Sequence, residues 1–117
     1  MSRTLPHPAP VVWDFISSPE GLALWLGPGA ALIPERGAPY RTTAGVTGEV
    51  RGYRSGEKIR VTHDITTIQV ALASTTNEGR TMVRFHQEHL ASAEERGQQR
   101  AYWQRIMDQV ATVLDRQ

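Results

Sequence analysis

Apolar positions change their spacing along the chain, and the changes divide it into helical and extended parts. Pro10–Ser17 and Pro19–Leu26 carry apolar residues near helical spacing, and each has a proline at an early position, where a helix tolerates it. Ser18, directly before the second segment, has the side chain of a helix N-cap. We therefore predict two short helices, the second of which is stopped by the turn sequence Gly27-Pro28-Gly29.

From Ala31 to His89 the helical spacing disappears, and short runs of alternating apolar and polar residues are separated by turn residues. This pattern is typical of antiparallel strands joined by tight turns. The predicted strands are Ala31–Pro34, Tyr40–Ala44, Gly48–Arg54, Lys58–His63, Thr67–Thr75 and Arg80–His89. Asn77-Glu78-Gly79 predicts a hairpin between the last two, because Asn and Gly tolerate positive φ.

The closing segment is predicted to be one long helix. Ser92-Ala93-Glu94-Glu95 has the residues of a capping box, and apolar residues then recur at spacings of three and four. The resulting stripe consists of Trp103, Ile106, Met107, Val110, Val113 and Leu114. A helix of roughly 24 residues would be about 36 Å long. Because a sheet followed by one such helix must bury the stripe against one of its faces, the pattern predicts an α+β fold.

Alternation along three strands separates an apolar face from a polar face, since the side chains of a strand point to opposite sides with a period of two. The apolar sets are Ile59, Val61 and His63, then Ile68, Val70 and Leu72, and finally Val83, Phe85 and Gln87. To the opposite faces we assign Lys58, Arg60, Gln69, Thr81, Arg84, His86 and Glu88. If the apolar sets turn toward the helix stripe, sheet and helix form a lined groove. An ordinary filled core is the alternative.

Composition limits the classes of protein to which the chain can belong. With no cysteine, residues 1–117 are expected to form a single domain without a disulfide, a thiolate metal site or a cysteine nucleophile, and a cytoplasmic location is the simplest assignment. The formal net charge of +1 gives no general attraction to nucleic acid or anionic lipid. No stretch has the ~18 apolar residues of a membrane span. We therefore expect neither nucleic acid nor a membrane as a partner.

Motifs of nucleotide, cofactor and hydrolase chemistry are absent. The chain has no GxSxG, GxxxxGK[ST] or GxGxxG sequence, and we predict no cofactor. His86 and His89 are three apart in a predicted strand, so they point to opposite faces and do not predict a metal site. His63, His86 and Glu88 are the residues that could act as acid or base if one of them pointed into the groove.

Several segments resemble the SRPBCC (START-like) superfamily, in its branch similar to the activator of heat-shock-protein-90 ATPase. The segment APVVWDFISSPEGLALWLGPGA looks like the N-terminal two-helix signature of that branch. Thr47-Gly48-Glu49-Val50 and Lys58-Ile59-Arg60-Val61 are similar to its central strands. Phe85-His86-Gln87-Glu88-His89-Leu90, followed by Glu94-Glu95-Arg96 and Trp103, is similar to the strand that leads into its last helix. The resemblance extends from about Pro8 to Leu114.

The resemblance implies a helix-grip fold, in which a curved antiparallel sheet grips a long C-terminal helix with a cavity between them. Members of the superfamily bind lipids, polyketides or other apolar molecules, and a few are cyclases or related enzymes. Only Ser2–Leu5 precede the first prolines, so we expect one sheet edge to be short or unpaired, which would invite pairing with a second copy. Chaperone activation does not transfer with the resemblance, because a fold does not determine a function.

The leading interpretation is a non-enzymatic binding protein for a small apolar or aromatic ligand, held between the sheet and the last helix. Its apolar wall is predicted to be Trp25, Ile59, Val61, Ile68, Val70, Val83, Phe85, Trp103, Met107 and Val110, with Gln87, His63 and Tyr40 as polar contacts. One alternative is a cyclase-like or aromatase-like enzyme that uses His63, His86 or Glu88. Another is a protein-interaction module or homodimer with a packed interior. A void beside Trp103 would favour the first interpretation.

Overall fold

The computed structural model describes residues 2–74, 79–88 and 93–116, a part of the chain that contains three helices and six strands. In chain order the elements are β1 Ser2–Leu5, α1 Ala9–Ile16, α2 Pro19–Trp25, β2 Pro39–Arg41, β3 Thr47–Arg54, β4 Lys58–His63, β5 Thr66–Ser74, β6 Thr81–Glu88 and α3 Ala93–Asp115. The strands form one antiparallel sheet in the order β1-β6-β5-β4-β3-β2. The predicted α+β fold of the helix-grip type is confirmed.

The two short helices begin where the sequence predicts. Pro10 lies in the first turn of α1, and Pro19 begins α2. The Ser18 hydroxyl accepts a hydrogen bond from the backbone N–H of Gly21 at 3.0 Å, as an N-cap does. Both helices turn their apolar residues into the core, where Phe15 and Leu22 are buried.

Long antiparallel ladders align the apolar face of the sheet in rows that cross several strands. One row runs from Val50 through Val61 and Ile68 to Gln87, and the next runs through Ile59 and Val70 to Phe85. The predicted pairing of the last two strands is confirmed as β5 with β6. The opposite face is polar, and Arg60 there donates hydrogen bonds to Gln69 and Glu88.

The stripe of α3 packs on the apolar face of the sheet, as predicted. Trp103 is only 3% exposed and its ring stacks on Phe85 of β6, with 4.7 Å between the ring centroids. Farther along the helix, Met107, Val110 and Leu114 are fully buried. The predicted capping box at 92–95 and the predicted turn residues Asn77 and Glu78 lie outside the residues or side chains that the structure describes.

The predicted strand Ala31–Pro34 is wrong. Residues 31–34 form a loop with no strand partner, in which the Ile33 side chain is 53% exposed. The backbone carbonyl oxygen of Ile33 accepts a hydrogen bond from the backbone N–H of Glu35, and this bond turns the chain. This turn contains Pro34, which has no N–H to donate, and it ends the extended run before the run can align with a neighbouring strand. Strand β2 is likewise shorter than predicted, because the chain turns between Thr42 and Val46.

The first strand is short, as expected, and it is paired, because β1 aligns with β6 from Ser2 opposite Arg84 to Leu5 opposite Thr81. One assignment next to this strand needs correction. Thr81 was assigned to the polar face, yet it is fully buried and donates a hydrogen bond to the carbonyl oxygen of His7 at 2.8 Å. An interval of two residues places Thr81 on the same face as Val83, so the alternation itself excludes the polar assignment.

Candidate functional site

An open cleft lies at the end of the helix–sheet interface, beside the turn from β4 to β5. Its volume is about 380 Å³, within the roughly 300–1,000 Å³ that is common for small-molecule pockets. Its described lining consists of Trp25, His63, Ile68, Gln87, Gln98, Gln99 and Tyr102. The sheet register explains part of this grouping, because Ile68 pairs with Gln87 and His63 pairs with Thr66 at the adjacent turn. The N-terminal half of α3 supplies the other wall.

A chain of hydrogen bonds connects α3 to the turn beside this cleft. The indole Nε1–H of Trp103 donates to Oε1 of Gln87 at 3.0 Å, and Nε2 of Gln87 donates to the Thr66 hydroxyl at 3.0 Å. That hydroxyl donates to the carbonyl oxygen of His63 at 2.7 Å. Because an indole nitrogen can only donate, it determines the orientation of the Gln87 amide. These three hydrogen bonds therefore hold α3, β6 and the β4–β5 turn in fixed positions relative to one another.

Tyr40 determines which nitrogen of His63 carries the proton. The Tyr40 hydroxyl lies 2.6 Å from the carbonyl oxygen of Thr62 and 3.0 Å from Nδ1 of His63. The carbonyl oxygen can only accept, so the single hydroxyl proton of Tyr40 is donated to Thr62. Nδ1 of His63 must then donate its own proton to the Tyr40 oxygen. In a neutral imidazole this leaves Nε2 with a free lone pair.

His63 lines the cleft, whereas Tyr40, which faces Nδ1, does not. From this we infer that Nε2, on the side of the ring away from Tyr40, faces the cleft. Among the described residues, no hydrogen-bond partner of Nε2 is present. Burial lowers the pKa of His63 below its ordinary 6.5, and the nearby Asp64 carboxylate opposes that shift in part. The cleft therefore contains a neutral imidazole with an available acceptor.

Gly48 makes room for the Tyr40 ring, and the sequence interpretation missed this role. Gly48 is paired with Tyr40 across β2 and β3. A Cβ atom at this position would lie 2.0 Å from the Thr62 carbonyl oxygen and 2.7 Å from Cε1 of Tyr40. Any side chain here would therefore displace Tyr40 from the carbonyl that it binds. A glycine inside a strand is the signal that could have indicated such a close approach.

The predicted wall residues divide between this cleft and the packed core. Four of them, Trp25, His63, Ile68 and Gln87, line the cleft. Tyr40 is buried behind His63, and burial raises the pKa of its hydroxyl. The others are buried in the hydrophobic core, namely Ile59, Val61, Val70, Val83, Phe85, Trp103, Met107 and Val110.

Aromatic rings fill the interior directly behind the cleft. Phe85 lies between Trp25, at 5.9 Å between ring centroids, and Trp103, at 4.7 Å. Tyr102 makes an edge contact with Trp103, with centroids 5.0 Å apart, and lines the cleft with its own side chain. Trp103 itself is not part of the described lining, so the cleft lies beyond Tyr102 and Gln87 and not directly against the indole ring. Tyr102 was not among the predicted wall residues.

Of the acid–base candidates, only His63 lies at the cleft. The His86 side chain is 51% exposed on the polar face of the sheet, where its Nε2 lies 3.5 Å from a carboxylate oxygen of Glu88. Glu88 also forms an ion pair with Arg60 on that face. His89 is outside the described residues. Within the described ranges, no three His, Asp or Glu side chains converge on a point that could hold a metal ion.

In the part of the chain that the structure describes, none of the helices is both long enough and apolar enough to cross a bilayer.

Solved structures with a similar fold come from several bacteria and cover nearly the whole chain. Protein MLL2253 from Mesorhizobium loti is 20% identical with a TM-score of 0.75, and the match covers 99% of this chain and 95% of that one. DynU16, from the dynemicin biosynthetic locus, is 18% identical with a TM-score of 0.80, over 98% of this chain and 46% of its own. The Aha1 dimer from Colwellia psychrerythraea is 15% identical with a TM-score of 0.73, over 97% and 92%. At these identities the likeness shows the fold alone.

The family relationship follows from the sequence match. No curated protein matches the chain. The family described as "Activator of Hsp90 ATPase homolog 1-like protein" matches residues 6–115, which is nearly the entire length. The chain therefore belongs to the family of Activator of Hsp90 ATPase homolog 1-like proteins, within the SRPBCC superfamily.

Proposed function

We propose that this protein binds a small apolar or aromatic molecule in the cleft lined by His63, Gln87 and Tyr102. The observation that carries the proposal is the composition of the lining. Tyr102 offers half-buried aromatic surface, and the almost fully buried Trp25 and Ile68 form the apolar floor, while His63 and Gln87 offer a few polar groups at defined positions. A concave site with apolar walls and a small number of oriented polar groups is typical of small-molecule pockets.

The polar groups of the lining are already held in place without a ligand. Gln87 is fixed by Trp103 and Thr66, and His63 is fixed by Tyr40. Groups that need no rearrangement lose little conformational entropy on binding, so preorganisation favours affinity. This supports a binding role for the cleft over a role as an incidental surface depression.

Isothermal titration calorimetry with 2-naphthol tests the proposal. We expect saturable binding to the unaltered protein, and about fivefold to tenfold weaker binding to Tyr102→Ala, because one aromatic wall is removed. Tyr53→Ala is the matched control: Tyr53 is also half-buried, but its ring contacts Trp13, at 5.8 Å, away from the cleft. Equal loss of affinity in both variants, or no binding across a panel of bicyclic aromatic compounds, would contradict the proposal.

Proton transfer is a second candidate function, favoured by the single observation that neutral His63 directs a free Nε2 toward the cleft. A base must be accessible from the site and be unprotonated at the working pH; His63 lines the cleft, and its lowered pKa favours the unprotonated form. The test follows deuterium exchange at the α-carbon of 2-tetralone in D2O by NMR. Exchange faster than in buffer, and lost in His63→Phe, is expected if His63 is a base. Exchange at the buffer rate would remove this candidate.

Self-association is a further proposal about partners. The Aha1 protein from Colwellia psychrerythraea is described as a dimer. In this chain β1 and β2 form the two edges of the sheet, and an edge strand offers backbone groups for pairing with a second copy. Light scattering coupled to size-exclusion chromatography measures the outcome. A mass that stays that of one chain at all concentrations would contradict a homodimer.

A further inference from the structure

The described lining of the cleft contains a hydrogen-bond acceptor, Nε2 of His63, but no formally charged side chain. Trp25, Ile68 and Tyr102 are uncharged, as are the amides of Gln87, Gln98 and Gln99. Burial keeps His63 in its neutral form at neutral pH. A carboxylate or phosphate in the cleft would lose hydration without meeting an opposite charge, which costs free energy. The lining therefore favours a neutral ligand.

The polar groups on the sheet side of the cleft differ in what they can still offer. Oε1 of Gln87 accepts from Trp103, Nε2 of Gln87 donates to Thr66, and the Nδ1 proton of His63 is donated to Tyr40. On the α3 side, the Gln98 and Gln99 amides and the Tyr102 hydroxyl can both donate and accept, so they do not discriminate between ligand donors and acceptors. Nε2 of neutral His63 is the group that can only accept.

We propose that the ligand of this cleft is a neutral aromatic compound that carries a hydroxyl or N–H group, and that this group donates a hydrogen bond to Nε2 of His63. This rests on the proposed binding function and adds its ligand class. A compound of the same size without a donor would leave Nε2 with no partner once water is displaced. An unsatisfied polar group in a partly buried site lowers affinity. His63 therefore selects ligands that can donate a hydrogen bond over ligands that can only accept one.

Calorimetry with two matched compounds at neutral pH tests the selection. 2-Naphthol can donate, whereas 2-methoxynaphthalene has a similar bicyclic surface but can only accept. We expect 2-naphthol to bind about tenfold more tightly, which corresponds to the net value of roughly one hydrogen bond. In His63→Phe the ring remains against Tyr40, whose proton is still donated to Thr62, while the acceptor is lost. The ratio of the two dissociation constants should fall to about one.

The outcomes separate the inference from the function on which it rests. If both compounds bind the unaltered protein equally well, or if the tenfold ratio survives in His63→Phe, the donor preference is wrong and the binding function stands. If neither compound binds, both proposals are contradicted. Should His63→Phe fail to fold, long-range ¹H–¹⁵N spectra of the unaltered protein give the tautomer of His63 directly. A proton on Nδ1 supports the inference, and a proton on Nε2 overturns it.

Discussion

The two halves of α3 meet the same sheet in different ways. Toward its C-terminus the helix contributes Met107, Val110 and Leu114, all fully buried among apolar neighbours. Toward its N-terminus the contact depends on the stacked Trp103 and its hydrogen bond to Gln87, and beside them the cleft is open. We call these the closed half and the cleft half of the interface.

The difference shows how a small core can combine stability with a site. The buried side chains of the closed half are apolar, and burial of apolar surface is the main source of folding free energy. The cleft half contains half-buried polar groups that must form hydrogen bonds. These bonds add little net stability, but they fix the positions of the polar side chains. We therefore expect substitutions in the closed half to change stability without changing binding, whereas substitutions in the cleft half should change binding, together with stability where they break the hydrogen-bond network.

The largest effect is expected from Leu114→Ala in the closed half. Leu114 is fully buried, and removing its side chain leaves a cavity, so the free energy of unfolding should fall by about 2–5 kcal/mol. Urea denaturation measures the change, with Val113→Ala, at a half-buried position, as the control that loses less. Affinity for 2-naphthol measured well below the unfolding transition should stay unchanged. A loss of affinity comparable to that of Tyr102→Ala would break the distinction between the halves.

Gly48→Ala is expected to destabilise the protein by about 3 kcal/mol, near the upper end for overpacking. Its new methyl group would collide with the Thr62 carbonyl oxygen and with the Tyr40 ring. Gly52→Ala is the control in the same strand, because a Cβ there meets only the Arg60 Cβ at 4.0 Å. Thermal unfolding of the two variants checks the result. Equal melting temperatures would mean that Tyr40 does not need the space that Gly48 leaves.

Gln87→Leu should cost about 1–2 kcal/mol, because the buried indole N–H of Trp103 loses its acceptor and the Thr66 hydroxyl loses a donor. Gln69→Leu, on the polar face of the same sheet, should change stability by much less. Chemical denaturation compares the two variants. The indole N–H resonance of Trp103 should also move in Gln87→Leu, and an unmoved resonance would show that the hydrogen bond is absent.

The smallest effect is a pH dependence contributed by His63. Its pKa is lower in the folded protein than the ordinary 6.5 of an unfolded chain, so the unfolded state takes up a proton first as the pH falls. The contribution of His63 to stability is thus complete above about pH 6.5 and decreases below it. Urea denaturation at neutral and acidic pH should show a shallower loss of stability in His63→Phe than in the unaltered protein. A steeper loss of stability in the variant would mean that folding does not lower the pKa of His63.

Periodicity predicted the framework of the fold because its strands and helices are regular. The bounds Lys58–His63 match β4, and the stripe from Trp103 to Leu114 is the buried side of α3. The run Ala31–Pro34 was assigned to a strand because short apolar runs occur in both strands and loops, and only a pairing partner distinguishes them.

The cleft was less predictable, because it depends on contacts between residues far apart in the chain. His63 and Gln87 were predicted as polar contacts, but the tautomer of His63 follows from Tyr40, which approaches only because Gly48 leaves space. The division between filled core and open space depends on side-chain volumes, which the alternation of apolar and polar residues does not specify. Phe85 and Trp103 have the same pattern signal as Ile68, yet they fill the interior and Ile68 lines the cleft.

The central claim is that the cleft half holds the binding site, and amide chemical-shift mapping with 2-naphthol tests it most directly. On titration into ¹⁵N-labelled protein, we expect the shifts to concentrate at His63, Ile68, Gln87 and residues 98–102 of α3, with little change around Leu114. Shifts centred on the closed half, around Val113 and Leu114, or no saturable shifts at all, would contradict the account.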